Sequence, residues 1–182
     1  MDYTTLNNIR IYGPCKKGWA TLLSHLGKTK ADDEPVSFLT ILESNGLDDA
    51  IWCLQTVPDL QRESQKFAIW CAKQVRRQMA DRFSALLNVA ERYVNGEASN
   101  GEMAAAWDAM SASIGCGNSA ERAAFWAMQL DESWIAARYA VQSANNESKA
   151  LHAQEKKFFE MFCQPDVSYH PPKKSQGESV DR

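Results

Sequence analysis

Few side chains in this sequence could do covalent chemistry. There are three histidines, His25, His152 and His170, and five cysteines, Cys15, Cys53, Cys71, Cys116 and Cys163. A nucleophile or general base needs a partner within hydrogen-bond reach. Cys15 opens the first convincing helix and His25 lies on it. Ten residues of helix separate them by about 15 Å along the axis, too far for proton transfer unless Cys15 lies off the helix. The other thiols sit mostly in apolar helical runs and read as small hydrophobes. No CxxC, HxxxH or HExxH spacing occurs. The acidic pairs Asp32-Asp33, Asp48-Asp49 and Asp131-Glu132 could hold a hard cation, but the first two fall at expected helix starts, where capping explains them. GPCKKG is neither a Walker loop nor a dinucleotide fingerprint. The reading is therefore no catalytic residue, no metal and no cofactor.

Those residues are carried by an amphipathic, helix-rich chain. Its 182 residues are 45% hydrophobic, enough to bury roughly two-thirds of the unfolded surface in one domain. An odd number of scattered cysteines points to free thiols in a reducing cytoplasm. No run of 18 apolar residues spans a membrane, and MDYTTLNNIRIYG lacks a signal-peptide core. No stretch alternates with period two, so the expectation is an all-α protein of eight or nine helices in a compact bundle or short helical-repeat-like stack. A single helical domain covers residues 1–163, and a disordered C-terminal tail covers 164–182, where Pro165, Pro171 and Pro172 stand among polar residues.

In chain order, residues 1–14 read as a lead-in ending at Gly13-Pro14. A helix follows from Cys15 to about Leu26. KTKADDEP is an exposed loop in which Pro35 opens the next helix, with Asp32, Asp33 and Glu34 at its positive end. Leu47 to Thr56 forms a short helix, and Leu60 to Met79 a long one with Asp59 as N-cap. On a wheel the long helix places Leu60, Phe67, Ala68, Cys71, Val75 and Met79 on one side and Arg62, Lys66, Lys73, Arg76 and Arg77 opposite. Asp81 caps a helix to about Asn95 with the stripe Phe83, Leu86, Leu87, Ala90 and Val94. Ser99 and Glu102 have capping-box spacing before the seam Met103, Trp107, Met110 and Ile114. From Ser119 an alanine-rich segment runs on, with Leu130–Ser133 either a kink or a join, and the last helix spans Glu147 to Cys163.

Charge is segregated in blocks. Residues 1–30 carry five basic groups against one acid, 31–64 eight acids against one arginine, and 65–82 five basic groups against one acid. The blocks either neutralise one another across packed helices or present a complementary face to a charged partner. The sequence has six tryptophans. The tetrapeptide Ala-Ile-Trp-Cys occurs twice, at 50–53 and 68–71, and on the wheel Ile69 and Trp70 border the basic stripe. A Trp among arginines suits a protein-binding hot spot, unless a neighbouring helix covers it. The candidate partner-binding residues are Arg62, Lys66, Trp70, Lys73, Arg76 and Arg77 on the basic side, and Asp32, Asp33, Glu34, Asp48 and Asp49 on the acidic side.

The run Arg82–Ala106, containing AERYVNGEASNGEMAAA, resembles a helix–Asn/Gly–Glu-Ala–helix segment in bacterial helical immunity proteins associated with polymorphic toxins. AIWCLQTV and the later alanine-rich helices are similar in style. GPCKKGWATLLSHLGKTKADDEP resembles segments of small phage and prophage proteins. The resemblance implies an all-α, non-enzymatic protein that binds and blocks another protein, a toxin or host defence effector, and it carries no active-site residues. The alternative is a nucleic-acid-associated or DNA-mimicking regulator, in which the basic stripe binds phosphates or the acidic block imitates them. The net charge of −3 weighs against nucleic acid. A homo-oligomer is compatible with either.

Overall fold

The computed structural model describes residues 2–111, 117–129 and 133–164. Ile114, Cys116, Asp131, Glu132, His170 and the expected tail beyond Gln164 lie outside them. Ten α-helices and one small sheet make up the described residues.

The sheet corrects the N-terminal reading. β1 (Tyr3–Thr5) pairs antiparallel with β2 (Pro35–Ser37), Tyr3 opposite Ser37 and Thr5 opposite Pro35. Three-residue strands are too short to display an alternating pattern, and Pro35 is tolerated at a strand's first residue. Each strand ends in a hydroxyl that caps the helix after it. Thr5 accepts from the Asn8 amide at the start of α1 (Leu6–Ile11), and Ser37 from the Thr40 amide at the start of α3 (Phe38–Asn45). Asp32, Asp33 and Glu34 therefore do not stand at a helix N-terminus. Between the strands runs α2 (Lys16–His25), whose N-cap is Cys15.

α4 (Leu47–Cys53) ends in a 3₁₀ turn, Leu54–Thr56, and a second such turn, Pro58–Leu60, leads into α5 (Gln61–Gln74). Leu60, with no side-chain cap bond, occupies the N-cap position expected of Asp59. α5 also stops earlier than its apolar pattern suggests. Val75 leaves helical geometry, and Arg76–Gln78 form a 3₁₀ turn. Periodicity persists through such a turn because three residues per turn and 3.6 differ little over one cycle.

α6 (Asp81–Val94) buries the five residues of its expected stripe, but Ala80 holds the N-cap position expected of Asp81, which lies inside the first turn. α7 (Asn100–Ser111) follows the Ser99–Glu102 capping box, the Ser99 hydroxyl accepting from the Glu102 amide at 3.2 Å and the Glu102 carboxylate from the Ser99 amide at 2.9 Å. α8 (Ser119–Trp126) and α9 (Ser133–Ser143) are two separate helices, and α10 (Glu147–Phe158) continues as one π-helical turn, Phe159–Cys163.

α5 packs against α6, α8, α9 and α10. Buried residues cover more than half its circumference, from Phe67 round to Ile69, so Ile69 belongs to the core and not to the margin of a basic stripe. Ala120, Ala123, Ala124, Ala136, Ala137 and Ala140 are buried on the paired α8 and α9, where small side chains let the backbones approach. Phe38, Phe67, Phe158 and Phe162 meet with ring centroids 5.0–6.3 Å apart. Residues from the beginning, middle and end of the chain thus share one aromatic cluster, each ring contributing about 1.5–3 kcal/mol on burial.

Candidate functional site

α5 turns Trp70 toward a groove of 440 Å³ between itself, α6 and the end of α10. Ile69, Trp70, Val94 and Met161 supply its apolar surface, and Lys66, Lys73 and Lys157 line it beside Glu63 and Glu91. The Trp70 ring stacks on buried Phe67, with centroids 6.4 Å apart and planes 21° from parallel. Trp70 is half-buried: its position is set from below while part of it stays accessible.

Of the basic stripe, the groove takes only Lys66 and Lys73. Lys66 pairs with Glu63 at 2.7 Å and Lys73 with Glu91 at 2.6 Å. Arg62 is used structurally, its Nε donating to the Val94 carbonyl at the C-terminus of α6, where a cation is favourable to the helix dipole. Arg76 and Arg77 stand exposed in the turn after α5, with no ion pair among the described residues. The five basic residues do not share one helix face, because α5 ends before Arg76 and Arg77.

The acidic candidates separate as well. Lys28 bridges Asp32 at 2.6 Å and Glu34 at 2.8 Å, and Asn7 Nδ2 donates to Asp33 at 2.8 Å. The Lys28 hydrogen bond, foremost, holds the Asp32 carboxyl below its ordinary range, while the Asp32 and Glu34 hydrogen bonds raise the ammonium. Asp48 is exposed at the start of α4. Asp49 instead lines a smaller cavity of 90 Å³ together with Cys15, Trp19, Asn45 and Trp52.

That cavity brings a thiol beside a carboxylate. Exposed Cys15 is in its wall and accepts from the Gly18 amide at 3.2 Å. His25, exposed at the far end of α2, is not, and neither histidine nor lysine lines the cavity. Burial pushes the Cys53 and Cys71 thiols well above their ordinary value and Cys163 up to about 11, so these three are protonated at neutral pH. Among the described residues no three His, Cys, Asp or Glu side chains gather as metal ligands, and no helix is long and apolar enough to cross a membrane.

No family model, curated protein or solved structure matches this chain. Its surface chemistry has to be read from its own residues. Sequence reasoning reached Trp70, Lys66 and Lys73 but missed Glu91, Val94, Lys157 and Met161, which complete the groove. The one signal for Glu91 was its place beside the buried stripe of α6; no spacing links Lys157 or Met161 to α5.

Proposed function

We propose that this protein is a cytoplasmic, non-enzymatic binding module of phage or mobile-element type, which blocks a toxin or host defence effector by docking that protein stoichiometrically on the Trp70 groove. The observation that carries the reading is a half-buried tryptophan, stacked on a core phenylalanine and bordered by paired charges. Protein-binding hot spots combine a rigid aromatic anchor with a rim that excludes water. The class of target follows from the resemblance of residues 82–106 to immunity proteins. Nucleic acid is less well served, because Lys66 and Lys73 already have carboxylate partners and Arg62 is tied to backbone. The acids offer a DNA mimic little continuous charge, with Lys28 across Asp32 and Glu34 and Asp49 in a cavity.

The test is cross-linking and affinity purification from the native host with the unaltered protein and Trp70→Ala, followed by titration of the recovered protein. Truncating the anchor should cost about 2 kcal/mol or more of binding, roughly a thirtyfold loss. Recovery of no specific protein, or equal affinity of Trp70→Ala, would reject the groove as the docking site. Binding of duplex DNA with a steep salt dependence, lost on charge reversal at Lys66 and Lys73, would favour the nucleic-acid alternative.

A further inference from the structure

The 90 Å³ cavity between α2, α3 and α4 shares no lining residue with the Trp70 groove. Its volume suits a group of a few heavy atoms, since a water takes about 30 Å³ and a cavity of about 150 Å³ admits benzene. Trp19 and Trp52 line it, and Asp49 is the only charged residue in the lining.

The carboxylate is held in place. Asn45 Nδ2 donates to Asp49 Oδ2 at 2.8 Å and to the Gly18 carbonyl at 2.8 Å, tying α2 to α4. A Cβ at Gly18 would lie 2.5 Å from Oδ2, so a glycine at this position makes room for the acid. Asp49 has no ion pair, and Oδ1 has no hydrogen-bond partner among the described residues. The cavity therefore combines one carboxylate, fixed by Asn45 and without an ion pair among the described residues, with two tryptophans. A hard metal cation wants six or more oxygen ligands, which this lining does not supply. A soft organic cation wants an aromatic wall and one counter-charge. We propose that the cavity binds the head of a small alkylammonium ion, a methylated amine or the methylated ammonium of a lysine side chain.

The experiment follows the six indole N–H signals of the ¹⁵N-labelled full chain by NMR, with Trp19 and Trp52 assigned through Trp19→Phe and Trp52→Phe. The probes are choline, its uncharged isostere 3,3-dimethylbutan-1-ol, a trimethyl-lysine peptide and sodium chloride. Choline should shift the Trp19 and Trp52 signals saturably, leaving the others in place, while the isostere and the salt do not. Asp49→Asn should weaken choline binding about tenfold. A tighter response to the peptide than to choline would assign the site to a protein-borne ammonium, and the reverse to a free amine; either supports the shared chemistry. Equal shifts from the isostere, unchanged affinity in a folded Asp49→Asn, or no saturable shift of these two indoles would overturn the proposal. If Asp49→Asn fails to fold, the comparison of choline with its isostere on the unaltered protein decides.

Discussion

Ala50–Cys53 on α4 and Ala68–Cys71 on α5 carry the same four residues and treat them alike. Both alanines, both isoleucines and both cysteines are buried, and both tryptophans are half-buried. Both Trp carbonyls near the ends of their helices accept a glutamine amide, Gln55 at 2.9 Å and Gln74 at 3.1 Å. The surroundings of the two rings nevertheless differ completely, and the residue just before each tetrapeptide accounts for much of it. That residue lies three before the Trp, on the same helix face. In the first copy it is Asp49, which puts a charge into the cavity beside Trp52; in the second it is Phe67, which stacks under Trp70 and joins the aromatic cluster. One position turns the same tetrapeptide toward a small cavity in one case and an open groove in the other.

The largest blow to this comparison should come from Phe67→Ala. It removes the support of Trp70 and a ring from the cluster, at an expected cost of about 3–5 kcal/mol in urea unfolding. Asp49→Ala, at the matching position of the first copy, should cost about 1 kcal/mol, the net worth of its hydrogen bond from Asn45. Similar losses for the two would mean that the preceding residue does not distinguish the copies. Cys53→Ser and Cys71→Ser come next. Each buries a hydroxyl in place of a thiol and should lose about 1–3 kcal/mol. Near-equal losses would sharpen the claim that the four shared residues are packed equivalently, and a loss in only one would break it.

How much of this was legible depends on whether the determining contacts are local. The α6 stripe and the Ser99–Glu102 box were readable because their partners lie within four residues, where helical spacing fixes who meets whom. The extent of α5 was not, because Val75 is as apolar as a continuing helix would require and leaves helical geometry only in its backbone angles. The sheet escaped notice for a different reason: Thr4 meets Val36 only after α1, α2 and a loop have brought them together. The sites divide in the same way. Trp70, Lys66 and Lys73 are neighbours on one helix and could be named in advance. The carboxylate of Asp49 acquires its meaning from Gly18 and Trp19 on α2, some thirty residues earlier in the chain.

The smallest expected effect separates the two cysteines. Both thiols are held protonated, Cys71 by burial and Cys53 by burial first and then by the nearby Asp49 charge. Once the pH passes the ordinary thiol value of 9.0, the unfolded chain gives up these protons while the folded chain keeps them. The folded state then binds more protons, so stability must fall as pH rises. Cys163 adds to the same decline until its thiol titrates at about 11. Cys71→Ala should therefore flatten the alkaline limb of a stability–pH curve without changing its shape below pH 9. Asp49→Asn should lower the titration of Cys53 alone, followed through the two cysteine ¹³Cβ shifts, because Cys53 shares the cavity wall with the Asp49 carboxylate and Cys71 does not. If Cys71 moved as far as Cys53, the Asp49 charge would extend well beyond the cavity, and the separation of the two tetrapeptide environments would fail at its most sensitive point.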